Sequence, residues 1–223
     1  MESFVWPEPP RQVALPIARP GYGFIGAAAF VSLVLALIGW EWPAVVALAA
    51  TLAIAGFFRD PDRVVPRVAH AVVSPADGKL VAAGPVEDSP VYGGPCVRVS
   101  VFMSVFNVHV NRAPIAGRVT RVDYHPGKFI AANLDKSSEV NERNAVTLES
   151  ADGERVVVVQ IAGLIARRII CGLTAGHEVG QGQRYGMICF GSRLDVFMPP
   201  GARLNCQVGD KVQAGTHILG YLK

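Results

Sequence analysis

Charge is what this sequence has least of: Asp, Glu, Lys and Arg make up 17% of its 223 residues, against 51% for the apolar ones. The 21 basic and 18 acidic side chains nearly cancel, and a net charge of +3 is too balanced for a nucleic-acid-binding surface. Cysteine is sparse too. Cys96, Cys171, Cys189 and Cys206 form no C-x-x-C pair and no metal-like spacing, so they are expected to be reduced, buried and inert. The five histidines show neither H-E-x-x-H nor another compact ligand set, so no metal is expected and a zinc peptidase is disfavoured.

Apolar residues, by contrast, crowd the N-terminus. Residues 20–40 and 42–58 contain no charge, and Glu41 alone separates them. As helices the two runs would span about 31 and 25 Å, against roughly 30 Å for a bilayer's hydrocarbon core. The connection "GWEWP" holds two tryptophans, which favour the membrane interface. Arg11 and Arg19 precede the pair and Arg59 and Arg63 follow it, so the positive-inside rule puts both ends, and the rest of the chain, on the cytoplasmic side of a cell membrane. A signal peptide is disfavoured because a second apolar run follows at once. A buried hairpin of a soluble protein and a pair lying in one leaflet stay open. Residues 1–63 are expected to form this membrane-associated hairpin, and residues 64–223 one domain.

Beyond residue 63 the apolar runs shorten and are punctuated by Gly and Pro. "VRVSVFM" (97–103), "GRVTRVDY" (117–124), "AVTLES" (145–150) and "RVVVVQIAG" (155–163) read as strands from their β-branched content and alternation. "ADGE" (151–154) between the last two is a hairpin signal. Residues 164–168 are too short a stretch to assign. The expected fold class is mainly β: a flattened barrel or sandwich-like domain behind an apolar helical hairpin. Three segments, 74–84, 113–127 and 208–220, share a Gly-containing turn with alternating apolar residues, a pattern like that of lipoyl and biotinyl carrier domains.

The densest signal for chemistry is "GQRYGMICFGSRLDVFMP" (182–199), where strand-like pieces 187–190 and 194–198 flank Gly191-Ser192. A Gly-Ser pair ordinarily marks a turn. Glycine, however, lacks a Cβ, so the following hydroxyl can approach its carbonyl closely. A serine hydroxyl needs a base held by a third group. Asp77 in "SPADG" and His109 in "SVFNVHVNRAP" are the upstream candidates, although each taken alone has a bland reading as a turn residue or a packed strand side chain.

In order along the chain, the apolar hairpin with "FFRDP", then "SPADGK", "FMSVFNVHVNRAP", "HPGKF", "NERN" (141–144) and "GxRxGMIxFGSRxDxxxP" resemble the short bacterial form of phosphatidylserine decarboxylase. The resemblance implies a proenzyme that cuts itself at Gly191-Ser192 into a β subunit, 1–191, and an α subunit, 192–223. Ser192 would become a covalent pyruvoyl cofactor that forms a Schiff base with the lipid amine. Asp77, His109 and Ser192 would form the self-cleavage set, and phosphatidylserine in the membrane would be the substrate, yielding phosphatidylethanolamine. Longer members carry two histidines in the segment matching "NVHVNRAP". Here His109 matches the first, and Arg112 falls where the second would be. His109 would then serve self-cleavage, decarboxylation or both, with His125 in "YHPGKF" as a rival. Arg193, where relatives have Thr or Ser, and Arg112 are candidates for the lipid phosphate.

Two alternatives accompany this expectation. One is a membrane-tethered carrier module modified on Lys136 in "LDKSS"; the other keeps the chemistry but takes an ether-lipid serine head group. A homo-oligomer stays possible, and no nucleic-acid partner is expected.

Overall fold

A computed structural model describes residues 16–128, 140–163, 168–189 and 191–223. Lys136 and the unassigned residues 164–167 lie outside them, as does Phe190. The chain divides into one compact unit within Pro10–Asp62 and another that runs from Arg63 to Lys223.

The first unit is a helix pair, α1 (Tyr22–Leu37) and α2 (Glu41–Phe57), entered through a 3-10 turn at Arg19–Gly21. Both helices are apolar on every side rather than along one stripe, as suits a helix in apolar surroundings. Small polar groups make their seam. Ser32 Oγ and Thr51 Oγ1 lie 3.2 Å apart, and each also donates to a carbonyl one turn back, of Ala28 and Ala47. Phe30, Leu37 and Trp42 stay exposed. The charge-free run 20–40 ends as helix at Leu37, because Gly39 turns the chain at φ +78. Residues Arg19–Leu37 are long and apolar enough to cross a membrane; α2, with 17 residues, is shorter. The unit is compatible with membrane association.

The second unit is built from strands, as the β-branched segments lead one to expect. In chain order these are β1 (Ala71–Val73), β2 (Gly78–Ser89), β3 (Gly94–Met103), β4 (Val110–Arg112), β5 (Gly117–His125), β6 (Arg143–Glu149) and β7 (Arg155–Ala162). There follow β8 (Ile169–Cys171), β9 (Glu178–Val179), β10 (Arg184–Ile188), β11 (Ser192–Met198), β12 (Arg203–Leu204), β13 (Lys211–Val212) and β14 (Ile218–Tyr221). Among the described residues an antiparallel eight-stranded sheet runs β13-β2-β3-β11-β7-β6-β5-β9, and two three-stranded sheets run β1-β14-β12 and β4-β10-β8. The protein is mainly β with an apolar N-terminal helix pair.

Simple alternation fails at the centre. Strands β7 and β11 are buried along almost their whole length because both faces of the large sheet are covered. Leu194, Val196 and Met198 enter the main core, whereas Phe197 joins Val157, Val159 and Ile161 on the other face. The expected hairpin at 151–154 is present: Gly153 at φ +80 closes it, its N–H donating to the Ser150 carbonyl.

An internal pseudo-twofold organises the sheet. Gly78 opens β2 and Gly117 opens β5, each so close to a neighbouring carbonyl (Phe102 or Glu149) that a Cβ would collide with it. Leu80 exchanges hydrogen bonds with Gly209 and Asp210, and Val119 does the same with Gly176 and His177. Gly215 N–H donates to Ser74, and Gly182 N–H to Ala113. Across the axis Val73 donates to Pro114 and Arg112 to Pro75, both at 2.9 Å. The sequence suggested three similar segments. In the structure the third, 208–220, pairs with the first. The partner of the second is residues 176–182, which share the pattern G-x-x-V-x-x-G with residues 209–215.

Candidate active site

Cross-strand register defines one end of the large sheet. Lys79, Phe102, Arg193, Ile161, Arg143 and His125 form one row across six strands. One row further out, Ser192 sits between Met103 and Ala162. Ser192 is therefore the first residue of a central strand, not a turn residue. The two pieces flanking the Gly-Ser pair belong to different sheets, β10 to the small one and β11 to the large one. Gly191 makes the crossing at φ +67, a left-handed conformation that costs other residues about 1–2 kcal/mol. Ser192 is 0% exposed, and its Oγ donates to Met103 Sδ at 3.3 Å. Sulfur is a weak acceptor, so little holds this hydroxyl in place.

His109 enters from the small sheet. Val110 pairs with Met187, which brings His109 alongside the end of β10, the strand that leads to Gly191. Its ring is 0% exposed, and Nδ1 lies 2.9 Å from the Asn107 carbonyl oxygen. A carbonyl can only accept, so Nδ1 carries the proton and Nε2 presents a lone pair. This is the tautomer a general base requires.

A buried amide ladder joins the two sheets here. Asn144 Nδ2 donates to Gln160 Oε1 at 3.0 Å, and Gln160 Nε2 donates to Asn111 Oδ1 at 2.8 Å. Asn111 Nδ2 in turn faces the His109 carbonyl at 3.3 Å and Met103 Sδ at 4.0 Å. Asn111 thus bridges the histidine segment and the sulfur that faces Ser192. Asn111 and Asn144 both lie in motifs quoted above, "FMSVFNVHVNRAP" and "NERN", without a role assigned to either amide there. The sequence signal of Gln160 is an amide inside an otherwise apolar strand, which demands a buried partner.

Asp77 lies at the same end, one residue before β2 and two strand spacings, about 10 Å, along the sheet from Ser192. Its oxygens accept from Arg63 and from the Ala214 N–H, each at 2.8 Å. The structure therefore brings His109 and Ser192 around Met103 and Asn111, while Asp77 is held by other partners. His125 is exposed and three strand spacings from Arg193, about 14 Å, which separates it from Ser192. Arg193 is buried; its Nη2 donates to Asp195 Oδ2 and its Nε lies against Asp195 Oδ1, both at 2.9 Å. Arg112 is also buried and donates to the Gly182 carbonyl at 3.0 Å. Both guanidiniums have internal partners that a lipid phosphate would need to share.

The thiols are free, but only Cys96 is fully buried; Cys171, Cys189 and Cys206 are half-buried. Burial nevertheless raises the pKa of each, Cys206 to about 11 with Asp210 adding to the effect. Cys189, two residues from Gly191, is thus protonated near neutrality rather than a rival nucleophile. A groove of about 940 Å³ opens elsewhere, lined by Ala116, Gly117, Thr120, Glu149 and Ser150. None of the sequence-predicted site residues lines it.

A family model for phosphatidylserine decarboxylase matches residues 51–220. The curated phosphatidylserine decarboxylase proenzyme of Ralstonia pickettii (strain 12J) is 50% identical over 209 residues, covering 92% of this chain and 95% of the relative. That of Syntrophus aciditrophicus (strain SB) is 48% identical, with 92% and 96% covered. That of Geotalea uraniireducens (strain Rf4) is 47% identical, with 95% and 99% covered.

Proposed function

The chain belongs to the phosphatidylserine decarboxylase family, and on that premise we propose that it cuts itself at Gly191-Ser192 and then converts phosphatidylserine to phosphatidylethanolamine at the membrane surface. The observation that carries this reading is the junction itself: a left-handed glycine followed by a fully buried serine at the head of a central strand. A carbonyl on a residue free to take that conformation is open to the neighbouring Oγ.

Ser192 Oγ attacks the Gly191 carbonyl carbon while His109 Nε2 takes the hydroxyl proton. The peptide C–N bond breaks, the Ser192 nitrogen gains a proton, and an ester joins the two pieces. Loss of the Ser192 Cα proton then expels the Gly191 carboxylate from Cβ and leaves dehydroalanine. Hydrolysis with water releases ammonia and leaves a pyruvoyl group on the piece 192–223. That group is no larger than the serine it replaces, so the space between Met103 and Ala162 fits it. When present, it supplies an electron sink for the pair left behind as carbon dioxide departs. Asp77, anchored by Arg63 and the Ala214 amide, is proposed to steady the same end of the sheet and so assist the base during cleavage, while the Asn107 carbonyl on Nδ1 orients that base. The β piece, 1–191, retains His109, Asp77 and the apolar helices, and the arginines flanking those helices (Arg11, Arg19, Arg59 and Arg63) support a reaction on the cytoplasmic side of the membrane.

Intact mass under denaturing conditions tests this. The expected result is two chains that divide between residues 191 and 192, the smaller with a blocked N-terminus. Ser192→Ala should yield one full-length, inactive chain. Normal cleavage in that variant would show the site to be elsewhere.

A further inference from the structure

We propose that the end of the β unit beyond Ser192 is a docking surface for an anionic lipid bilayer, with the Val105-Phe106 turn as its wedge. The proposal rests on the bilayer substrate assigned above and adds which face meets it.

Residues 104–107 form a β-turn directly between Met103, the row partner of Ser192, and the buried His109. The Asn107 N–H donates to the Ser104 carbonyl at 3.0 Å. Asn107 Oδ1 accepts from both Ser104 N–H and Ser104 Oγ, each at 2.8 Å. These three bonds hold the turn in one shape. Turn centres are normally Gly, Pro, Asn, Asp or Ser; here they are Val and Phe. Phe106 is 83% exposed and Val105 39%, on a rigid tip that projects past the end of β3. Tyr124 and Val140 add exposed apolar surface at the same end of β5 and β6.

Charge complements this apolar surface. Lys79, Lys211, Lys128 and Arg168 are exposed at this end. Of the nearby described carboxylates, Asp77 pairs with Arg63, Asp123 pairs with Arg121, Asp210 accepts from the Gln207 N–H and Glu142 is buried beside Tyr124, while Asp62, next to Arg63, is exposed. The carboxylates of Glu87, Asp88, Glu149, Asp152 and Glu154 lie toward the other end of the sheet, interspersed with Arg98, Arg118 and Arg155. An apolar tip ringed by cations fits the interface of an anionic bilayer.

The test uses the full chain reconstituted in vesicles that contain phosphatidylserine, with either phosphatidylglycerol or phosphatidylcholine brominated in the acyl chains as the bulk lipid. The emission added by Phe106→Trp, read as the difference from the parent, should be blue-shifted and quenched, more strongly in the phosphatidylglycerol vesicles. In the same vesicles Phe106→Ser should raise the apparent KM about tenfold, the change expected when one buried phenyl group is lost, with little change in kcat. Unquenched emission while the parent still forms phosphatidylethanolamine overturns the docking surface and leaves the decarboxylase reading intact. Equal quenching in both vesicle types overturns the role of charge. A lipid-independent blue shift that grows with protein concentration gives the face to a second copy of the chain and overturns the proposal. A parent that forms no phosphatidylethanolamine overturns the functional reading instead.

Discussion

The Gly78 half and the Gly117 half of the sheet share a backbone plan and differ in what they can do. Each opens a long hairpin with a glycine pressed against a carbonyl, and each closes it with a G-x-x-V-x-x-G segment. Where the first half has Asp77, the second has Ala116; where the first has Asp210, the second has His177. The Gly117 half carries the groove, whose lining includes none of the candidate site residues. Ser192, His109 and the amide ladder, all buried, meet next to the Gly78 half. The proposed chemistry thus lies among buried polar contacts and not along the groove. That suits the proposed first reaction, whose substrate would be the protein's own backbone and would need no cavity.

The largest expected effect follows from comparing a histidine of each kind. His109→Ala should slow self-cleavage by about 10²–10⁴-fold, the usual range for a general base. His177→Ala, in the Gly117 half, removes an exposed ring whose Nε2 lies 3.1 Å from Thr174 Oγ1 and whose Nδ1 accepts from the Thr174 N–H. It should leave the cleavage rate within about twofold, as expected for a surface change. The two chain pieces are quantified against time after synthesis. Equal slowing in both variants would mean that the halves do not differ as described.

Next is the substitution that turns the first half into the second. Asp77→Ala leaves the Arg63 guanidinium and the Ala214 N–H without their shared acceptor, and both sites are largely buried. The expected loss is about 1–3 kcal/mol of stability, together with at least about tenfold slower cleavage. Ala116→Asp, at an exposed position, should move stability by no more than about 0.5 kcal/mol. Thermal unfolding of the uncleaved Ser192→Ala chain separates the stability effect from the cleavage effect.

How far the sequence could be read follows the same division. The strands at 97–103, 117–124, 145–150 and 155–163 were legible because β-branched residues and a hairpin Asp-Gly are local signals. The helix pair was legible from length and apolarity alone. The second repeat closure, at 176–182, was missed because Glu178 and Gln181 mask its likeness to 209–215; only the shared hydrogen-bond pattern reveals it. At the site, Gly191-Ser192 stood out by motif. That Ser192 starts a strand was hidden, because the pairing of β11 with β3 and β7 is long-range. Asp77 reads in the sequence as one of a set of three, whereas in the fold Arg63 takes its carboxylate. No periodicity reports such a partner: residue 63 lies at the boundary between the two units, outside any strand.

The smallest expected effect concerns a thiol and leaves cleavage untouched. Cys206 holds the position in the first half that Leu173 holds in the second, three residues before the closing glycine of each. Leu173 is buried in the core, and Cys206 packs partly against that same core. Burial, with the Asp210 charge behind it, pushes the Cys206 thiol from 9.0 to about 11. The folded value lies above the unfolded one, so the neutral thiol favours the native state below pH 9, and that contribution fades as pH rises through 11. Alkylation of native Cys206 at pH 8 should therefore run about hundredfold slower than that of the unfolded chain and rise about tenfold per pH unit up to that value. Cys206→Leu, which copies the other half, should cost less than about 1.5 kcal/mol and remove this alkaline titration. A Cys206 thiol that reacts at the unfolded rate near pH 8 would mean that the first half is open where the second is packed.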